Sequence, residues 1–542
     1  MGSDIGIEIQ SRMKRKPKKM RLLLSSPIKP FGPEFGDSFS CQTSGSHQLT
    51  WAQDIFRIED QMWHWGLDLI AKNINIPTTV LHYPSLKQFI KEIKNNYDYV
   101  GLSFNLATLH KIKNMVRAVH KFAPESKIIL GGYGTVLSDK ELEGLGDFIC
   151  REEGLEFMRK LFREEKKSFI NPNFVINRYI FSLKVAKIGV IFSSVGCPNG
   201  CDFCCTSHYY KRKKIYFYKT ARELFDAIMD FNKSNKSITS IIIFDDDFLV
   251  EKERAVEFLN IVRESKQYLD IMIFASVKSL SRFSAREIAE MGITKIWIGF
   301  EGLRAGYEKQ KGKAFEALVN ELRYYGISVT ASMMIGFDYQ SKDTIKYEFK
   351  ELISCFPTAT QIIMVTPCVG TSLWDRLNTD GRLIKKIRQD YKLHDGFNLL
   401  FEHPNITPKE IEELQRELYL EEYQLLGPSV FRILYTQFQG YKNLKDNENI
   451  ILKERAENFL KIIKRARIFY KIGIKFVPNN AVRQELRRQY IEITKEIGNF
   501  NIIMRIDQYL LLFFVWWTRL RFKYNLFLQP KYIKKIYNHK WR

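Results

Sequence analysis

Three cysteines lie within eight positions of one another in the segment GCPNGCDFCC. Cys197, Cys201 and Cys204 follow a strand-like run, and the glycine and proline residues between them let the loop curl so that the thiolates converge. A cubic four-iron cluster takes one ligand per iron, so three cysteines leave one iron open to a cofactor or a substrate. The spacing therefore predicts an iron–sulfur cluster with one reactive iron.

A structural zinc site is the alternative for the same residues. Zinc binds four nitrogen or sulfur ligands, and Cys205 or His208 could supply the fourth. The spacing lacks the paired CxxC motifs that are usual for zinc, so it favours the cluster.

The elements that must position these cysteines form a repeating pattern over residues 186–390. Six strand-like runs, each followed by a helical pattern, predict a partial (β/α)6 barrel of the TIM type. Chemistry in such barrels lies at the carboxyl ends of the strands. The residues at these ends are Asp245, Asp246, Asp247, Ser276, Lys278, Gly299, Glu301 and Gly336. An aspartate here can also simply cap the next helix, and we find that equally plausible for Asp247.

Residues 20–165 show an earlier alternation of strands and helices, which predicts a Rossmann-like domain with a parallel sheet. Ligands bind beyond the carboxyl ends of such strands, so the segments after Ser26, Phe104 and Leu130 should form the rim of a pocket. Gly131 and Gly132 at one strand end would let a bulky ligand approach the backbone. A plain turn is the simpler interpretation of that pair.

The remaining segments have less regular patterns. Residues 1–19 form a basic arm, and 166–185, with Pro172 and several asparagines, look like a linker. Residues 391–542 predict a helical domain. Its run YLLLFFVWW is too short to span a bilayer, so residues 502–542 are expected either to lie on an anionic membrane surface or to bury a helix.

The net charge of +23, from 84 basic and 61 acidic residues, favours anionic partners. The apolar run fits an anionic membrane better than it fits a nucleic acid. In addition, no known RNA-binding module is recognisable in the sequence. No secretory signal is evident before Leu22, so we expect a cytoplasmic protein, peripheral at the inner face of the membrane.

The CxxxCxxC pattern, with Phe203 before its last cysteine, resembles the radical S-adenosylmethionine (SAM) superfamily. The resemblance implies that SAM chelates the open iron and that an external reductant drives its cleavage to a 5'-deoxyadenosyl radical. It also implies contacts to SAM from Phe203, Asp245, Asp246, Ser276, Lys278, Gly299, Glu301 and Gly336. His208, Tyr209 and Tyr210 are candidates for acid–base work beside the cluster, although packing is the simpler role for each.

The first domain resembles the cobalamin-binding domain of one large group in that superfamily. The resemblance places Ser103, Gly131 and Gly132 near the corrin or its nucleotide tail. No DxHxxG motif supplies an axial histidine, which implies base-off cobalamin without a histidine ligand, and Glu152–Leu155 replaces the usual GEGE turn.

The expected function is methylation of an unactivated carbon in a hydrophobic substrate such as a lipid. Three alternatives stay open: carbon–carbon coupling or cyclisation without methylation, modification of RNA, and a non-catalytic sensor of cobalamin or redox state.

Overall fold

The computed structural model describes residues 20–27, 49–61, 64–165, 167–384, 391–394, 396–498, 502–524, 526 and 532–538, without the side chains of 502–509. The predicted basic arm at residues 1–19 and most of the segment after Ser26 lie outside the described residues.

The strands follow one another along the whole chain. They are β1 (Leu22–Ser25), β2 (Glu59–Gln61), β3 (Thr78–His82), β4 (Tyr99–Ser103), β5 (Lys127–Gly131), β6 (Phe148–Ile149), β7 (Phe174–Ile180), β8 (Leu183–Ile191), β9 (Ser194–Val195), β10 (Ile215–Tyr216), β11 (Ser240–Ile243), β12 (Ile271–Ala275), β13 (Ile293–Glu301), β14 (Ser328–Ile335), β15 (Ala359–Met364) and β16 (Ile533–Tyr537).

The α-helices alternate with these strands and then dominate the last third of the chain. They are α1 (Trp65–Asn73), α2 (Leu86–Ile93), α3 (Leu109–Phe122), α4 (Asp139–Leu142), α5 (Gly154–Leu161), α6 (Cys205–Tyr209), α7 (Ala221–Ser234), α8 (Lys252–Ser265), α9 (Val277–Leu280), α10 (Ala285–Glu290), α11 (Phe315–Tyr324), α12 (Lys342–Ser354), α13 (Ser372–Thr379), α14 (Pro408–Leu426), α15 (Ser429–Leu444), α16 (Ile450–Ala466), α17 (Phe469–Phe476), α18 (Asn480–Ile497) and α19 (Ile502–Lys523).

The first sheet has the strand order β16-β3-β1-β4-β5-β6. Strands β1 and β3 to β6 run parallel, as the Rossmann-like expectation requires. Every residue of β1 and β3 is buried, because helices cover both faces of the sheet. The carboxyl ends of β1, β4 and β5 consequently lie side by side at one edge.

The second sheet has the order β15-β14-β13-β12-β11-β8-β7-β2. Strands β8 and β11 to β15 correspond to the six predicted barrel strands, and all pairings among these six are parallel. This open, curled sheet confirms the partial barrel.

The predicted linker at 166–185 is wrong for its second half. Residues Phe174–Ile180 form β7, which pairs antiparallel with β8 on one side and with β2 on the other. The asparagines and Pro172 only mark the start of this hairpin. Strand β2, from the N-terminal part of the chain, thus becomes the edge of the barrel sheet.

The C-terminal region is helical from α14 to α19, as predicted, but its tail is not. Strand β16 pairs antiparallel with β3 and completes the first sheet. Lys534 and Lys535 contact Glu92 and Asp68, at 2.7 and 3.0 Å. Part of the positive tail is therefore neutralised within the chain. No helix in the described ranges is long and apolar enough to cross a membrane.

Candidate cofactor-binding site

The cysteine loop leaves the barrel between two short strands. Strands β9 and β10 pair antiparallel and close the loop at its base. Gly196 has φ +89°, and a Cβ there would lie 2.2 Å from the carbonyl oxygen of Lys213. Only glycine suits this position, because a side chain would both strain the backbone and collide with it. Gly196 therefore allows the loop to close.

Asp245 holds the start of this loop in place. Its carboxylate accepts hydrogen bonds from the backbone nitrogens of Ser193 and Ser194, at 3.1 and 2.9 Å, and from the Ser193 hydroxyl at 2.6 Å. The side chain is fully buried and is used by the loop itself, and its contact with SAM stays a prediction. Its neighbour Asp246 is exposed and accepts one bond, from Gly196 N at 2.9 Å, and it remains available to a cationic ligand.

The three predicted ligand cysteines lie near one another in the loop. Cys197 and Cys201 are buried and Cys204 is half-buried. Burial raises the pKa of Cys204 to about 12, and the nearby Cys201 and Cys197 act in the same direction, so the thiols are within electrostatic reach of one another. Within the described part of the chain, no three Cys, His, Asp or Glu side chains are grouped around a single metal ion. A cubane instead gives each thiolate its own iron, so its ligands need only face one shared volume, and these residues fit that group.

His208 is a positioning residue in this structure. Its Nδ1 lies 2.9 Å from the carbonyl oxygen of Cys204, and its Nε2 lies 3.0 Å from the Ser372 hydroxyl. The Ser372 backbone nitrogen also donates to Nε2, at 3.3 Å. Both ring nitrogens are thus engaged, and they tie the cysteine loop to α13, while a role of His208 as acid or base stays a prediction.

Glu301 and an unpredicted lysine form the charged centre of the barrel mouth. Glu301 Oε1 lies 2.5 Å from Lys309 Nζ, and both side chains are largely buried. Although burial opposes it, the negative charge of Glu301 and of nearby Cys201 raises the pKa of Lys309. Lys309 also lies over the Phe203 ring, 5.5 Å from its centroid. A Cβ on Gly299 would lie 2.1 Å from Glu301 Oε1, so the absence of a side chain at Gly299 leaves room for this carboxylate.

Three other strand-end residues point elsewhere. Ser276 caps α9 by accepting from the backbone of Ser279. Lys278 pairs with Glu308 at 2.9 Å, and both side chains are exposed. A Cβ on Gly336 would lie 3.3 Å from both Leu399 and Ile411, so this glycine faces the C-terminal region. These three residues make contacts within the chain, and their expected contacts with SAM stay predictions. Asp247 accepts from the Ser279 hydroxyl at 2.8 Å and thus has a structural role.

A cavity of about 360 Å³ separates the first sheet from the cysteine loop. Its lining is mostly apolar and aromatic and includes the three residues predicted for cobalamin, namely Ser103, Gly131 and Gly132. A Cβ on Gly131 would meet no atom within 4 Å, whereas one on Gly132, at φ +86°, would lie 2.5 Å from the carbonyl oxygen of Phe104. The first glycine thus leaves space in the cavity and the second permits its backbone.

Residues of the cysteine loop form the opposite wall of this cavity. Tyr209 donates to the carbonyl oxygen of Cys150 at 3.0 Å, and Tyr133 bonds to the Thr206 hydroxyl at 3.1 Å. Tyr210 packs edge-on to Tyr209, with ring centroids 5.1 Å apart. The two tyrosines that the sequence listed as acid–base candidates therefore line the contact between the two α/β parts.

Sequence reasoning missed Lys309, Tyr133 and His64, all of which line or border these two volumes. Lys309 lies eight residues beyond its strand in a 3-10 turn, and His64 lies just before the helix that follows β1. Of these three residues, only His64 had a position in the sequence that could have indicated a role, because it immediately precedes the first helix after a buried strand.

Comparisons with known proteins agree with this geometry. Residues 191–352 match the family model described as the radical SAM superfamily. An uncharacterized methyltransferase of Pyrococcus horikoshii is 24% identical over 286 residues, which are 51% of this chain and 58% of that protein. The bacteriochlorophyllide d C-12(1)-methyltransferase of Chlorobaculum tepidum is 23% identical over 362 residues, which are 60% of this chain and 75% of that protein. The chain therefore spans less than two thirds of the length of the first of these relatives.

Two solved structures share the fold. Both are of the radical SAM methyltransferase TsrM from Kitasatospora setae, one with cobalamin and an iron–sulfur cluster, the other with tryptophan substrate and the SAM analog aza-SAM. Their TM-scores are 0.53 and 0.54 at 12% identity, covering 83% and 82% of this chain and 100% and 99% of theirs. At this identity the likeness establishes the fold alone.

Proposed function

We propose that this chain, whose residues 191–352 match the radical SAM superfamily model, is a cobalamin-dependent methyltransferase acting on a carbon atom of a hydrophobic substrate. One observation carries the proposal: the cavity beside Gly131 and Gly132 is lined on its opposite side by Tyr209 and Tyr210, which follow closely after the three cysteines. Two cofactor sites that share a wall can act on one substrate.

The residues divide into two sets that fit the two cofactors. Cys197, Cys201 and Cys204 would hold the cluster, and Asp246 and Glu301 would accept hydrogen bonds from the ammonium or ribose groups of SAM. When bound, the cluster and SAM supply a 5'-deoxyadenosyl radical, and cobalamin supplies a methyl carrier. Aromatic side chains around both volumes keep water from the reacting atoms.

The names of the two curated relatives favour methylation over ring closure or coupling. One curated relative is named for methylation at C-12(1) of bacteriochlorophyllide d, and the other is named a methyltransferase. A cavity adjoining the cysteine loop gives a methyl carrier a place beside the radical source, which a sensor protein would not need.

The last helix supports a hydrophobic substrate drawn from a membrane surface. In α19, Leu511 and Val515 are buried, whereas Phe513 and Trp516 are 60% and 59% exposed. An exposed stripe of Leu510, Phe513, Trp516 and Trp517 next to the exposed Lys523 is typical of a helix that lies in the interface of an anionic bilayer. We commit to a lipid surface as its partner, since the charge of the chain complements anionic headgroups.

Anaerobic reconstitution with iron and sulfide, then reduction with SAM and methylcobalamin, tests the enzyme assignment. We expect 5'-deoxyadenosine from the wild type, and labelled methyl transfer from methyl-labelled SAM to a lipid-extract component. C197A, C201A and C204A should each lose the cluster iron. C355A, which changes a buried cysteine distant from the loop in sequence, is the matched control. The zinc alternative would instead be established if the wild type bound zinc and produced no deoxyadenosine, and if C205A also lost the metal.

Co-sedimentation with vesicles tests the membrane surface. We expect the wild type to bind phosphatidylglycerol vesicles and not phosphatidylcholine vesicles. F513S/W516S should weaken binding by tenfold or more, because each aromatic side chain that leaves water gains about 1.5–3 kcal/mol. I491S, which removes an exposed apolar side chain from α18, is the control. Equal binding of both variants would contradict the membrane proposal, and preferential binding to RNA would favour the RNA-modifying alternative.

A further inference from the structure

One histidine in the cavity has a ring nitrogen without a partner. His64 directly precedes α1, and its ring lines the cavity. Its Nε2 lies 3.4 Å from the Ser103 hydroxyl, whereas its Nδ1 is buried and has no hydrogen-bond partner in the described part of the chain. Leaving a buried polar atom unsatisfied is unfavourable, so such an atom calls for an explanation, and binding of a ligand is one.

The ring is in the state that binds metals. Burial lowers the pKa of His64 to about 4, with a further contribution from His82, so the imidazole is neutral at pH 7. A neutral imidazole carries a hydrogen on one nitrogen and a lone pair on the other. If Nε2–H donates to Ser103, the lone pair is on Nδ1. Histidines that bind metals usually hold their other nitrogen in such a hydrogen bond, which orients the ring.

The position of the ring fits a ligand that spans the cavity. Ser103 and Gly131 are partners in register at the ends of β4 and β5. His64 thus stands over the same strand ends that leave open space at Gly131. A cobalamin bound in this cavity would be held between residues of the first sheet and Tyr209 and Tyr210, with His64 among the lining residues.

Other donors at the cavity are less suited to a metal. The Cys150 thiol lies 3.4 Å from the carbonyl oxygen of Glu152, and burial raises its pKa to about 11, so it stays protonated. Glu153 accepts from two backbone nitrogens of α5, both at 2.8 Å. Among the described residues that line the cavity, His64 is the only histidine.

We propose that His64 supplies an axial nitrogen ligand to the cobalt of the cobalamin bound in this cavity. The inference rests on the cobalamin site of the proposed function and specifies its protein ligand. It differs from the expectation, based on the missing DxHxxG motif, that no histidine of the chain reaches the cobalt. Folding supplies at the start of α1 what that motif would have supplied in sequence.

Electron paramagnetic resonance of the full chain loaded with cob(II)inamide tests the ligand directly. Cobinamide lacks the nucleotide base, so any nitrogen bound to cobalt must come from the protein. We expect a three-line nitrogen splitting that becomes two-line in protein grown with nitrogen-15 histidine. H64A should lose the splitting, and H120A, which changes an exposed histidine at the end of α3, should keep it.

The outcomes separate this inference from the proposed function. Bound cobinamide without nitrogen splitting in the wild type, or with a splitting unchanged by nitrogen-15 histidine, overturns the inference and leaves the cobalamin site standing. Failure of the wild type to bind either cobinamide or cobalamin overturns both. The isotope test needs no variant, so it decides the matter even where H64A folds poorly.

Discussion

Arg521 in the last helix donates two hydrogen bonds, both 3.0 Å long, to the carboxylate of Glu59 in strand β2. The two side chains are 5% and 2% exposed. This pair attaches α19 to the edge of the barrel sheet, and it joins residues from the two ends of the chain.

Removing one partner of this buried pair should destabilise the fold, whereas replacing both partners with apolar residues should change the stability little. We expect R521A to lower the free energy of unfolding by about 3–5 kcal/mol, because it removes a buried cation and two charged hydrogen bonds from a buried carboxylate. R521M/E59M should lie close to the wild type. The neighbouring pair of Arg519 and Asp54 is exposed at 3.5 Å, so R519A should cost at most about 1 kcal/mol. Urea titration measures all three, and similar costs for R521A and R519A would refute this view of the pair.

Filling the space at Gly131 should block cobalamin without unfolding the protein. A Cβ there meets no atom within 4 Å, so G131A is expected to bind cobalamin and G131L to occupy the cavity. We expect at least about a hundredfold weaker binding by G131L, equivalent to roughly 2.7 kcal/mol. The absorbance of cobalamin retained after gel filtration gives the result. Undiminished binding by G131L would mean that cobalamin lies elsewhere.

A methyl group on Gly299 should disturb the SAM site. It would lie 2.1 Å from Glu301 Oε1, so G299A must displace this carboxylate or its lysine partner. We expect SAM affinity to fall about tenfold or more, or roughly 1.4 kcal/mol, with the cluster retained. Equilibrium dialysis with labelled SAM measures the change, and iron content serves as the folding control. E301Q should weaken binding in the same way; unaltered affinity in both variants would rule out Glu301 as a SAM contact.

The attachment of β16 should weaken in acid. Asp68 is fully buried; although burial opposes it, contacts with His82, Lys535 and Tyr537 lower its pKa below the usual value. A carboxylate with a depressed folded pKa stabilises the fold fully above its unfolded pKa of about 3.9, and this contribution fades as the pH falls through the folded value.

Hydrogen exchange in residues 533–537 tests this attachment. We expect the protection factors there to fall below about pH 4, and at pH 7 in D68N by about tenfold, or roughly 1.4 kcal/mol. D147N, which changes a more exposed aspartate paired with Lys127, should leave these amides unaffected. Unchanged protection in D68N would show that backbone pairing alone holds β16.

Local patterns determined much of the fold and part of the site. The alternation of apolar runs with helical periods is a property of neighbouring residues, so the six parallel barrel strands and the first sheet follow from it. The cysteines and the glycines at 131, 132 and 299 could also be selected as candidates from the sequence, because each acts within its own loop or strand end.

Only the tertiary structure decided the long-range choices. Ile533–Tyr537 becomes a strand because β3 offers it an edge and Asp68 and Glu92 offer its lysines partners more than 400 residues away. Lys309 rather than Lys278 faces Glu301, since a 3-10 turn brings it back over the strand end. His64 joins the cavity for a similar reason. Such contacts depend on total burial and charge pairing across the folded chain, and no pattern of neighbouring residues contains that information.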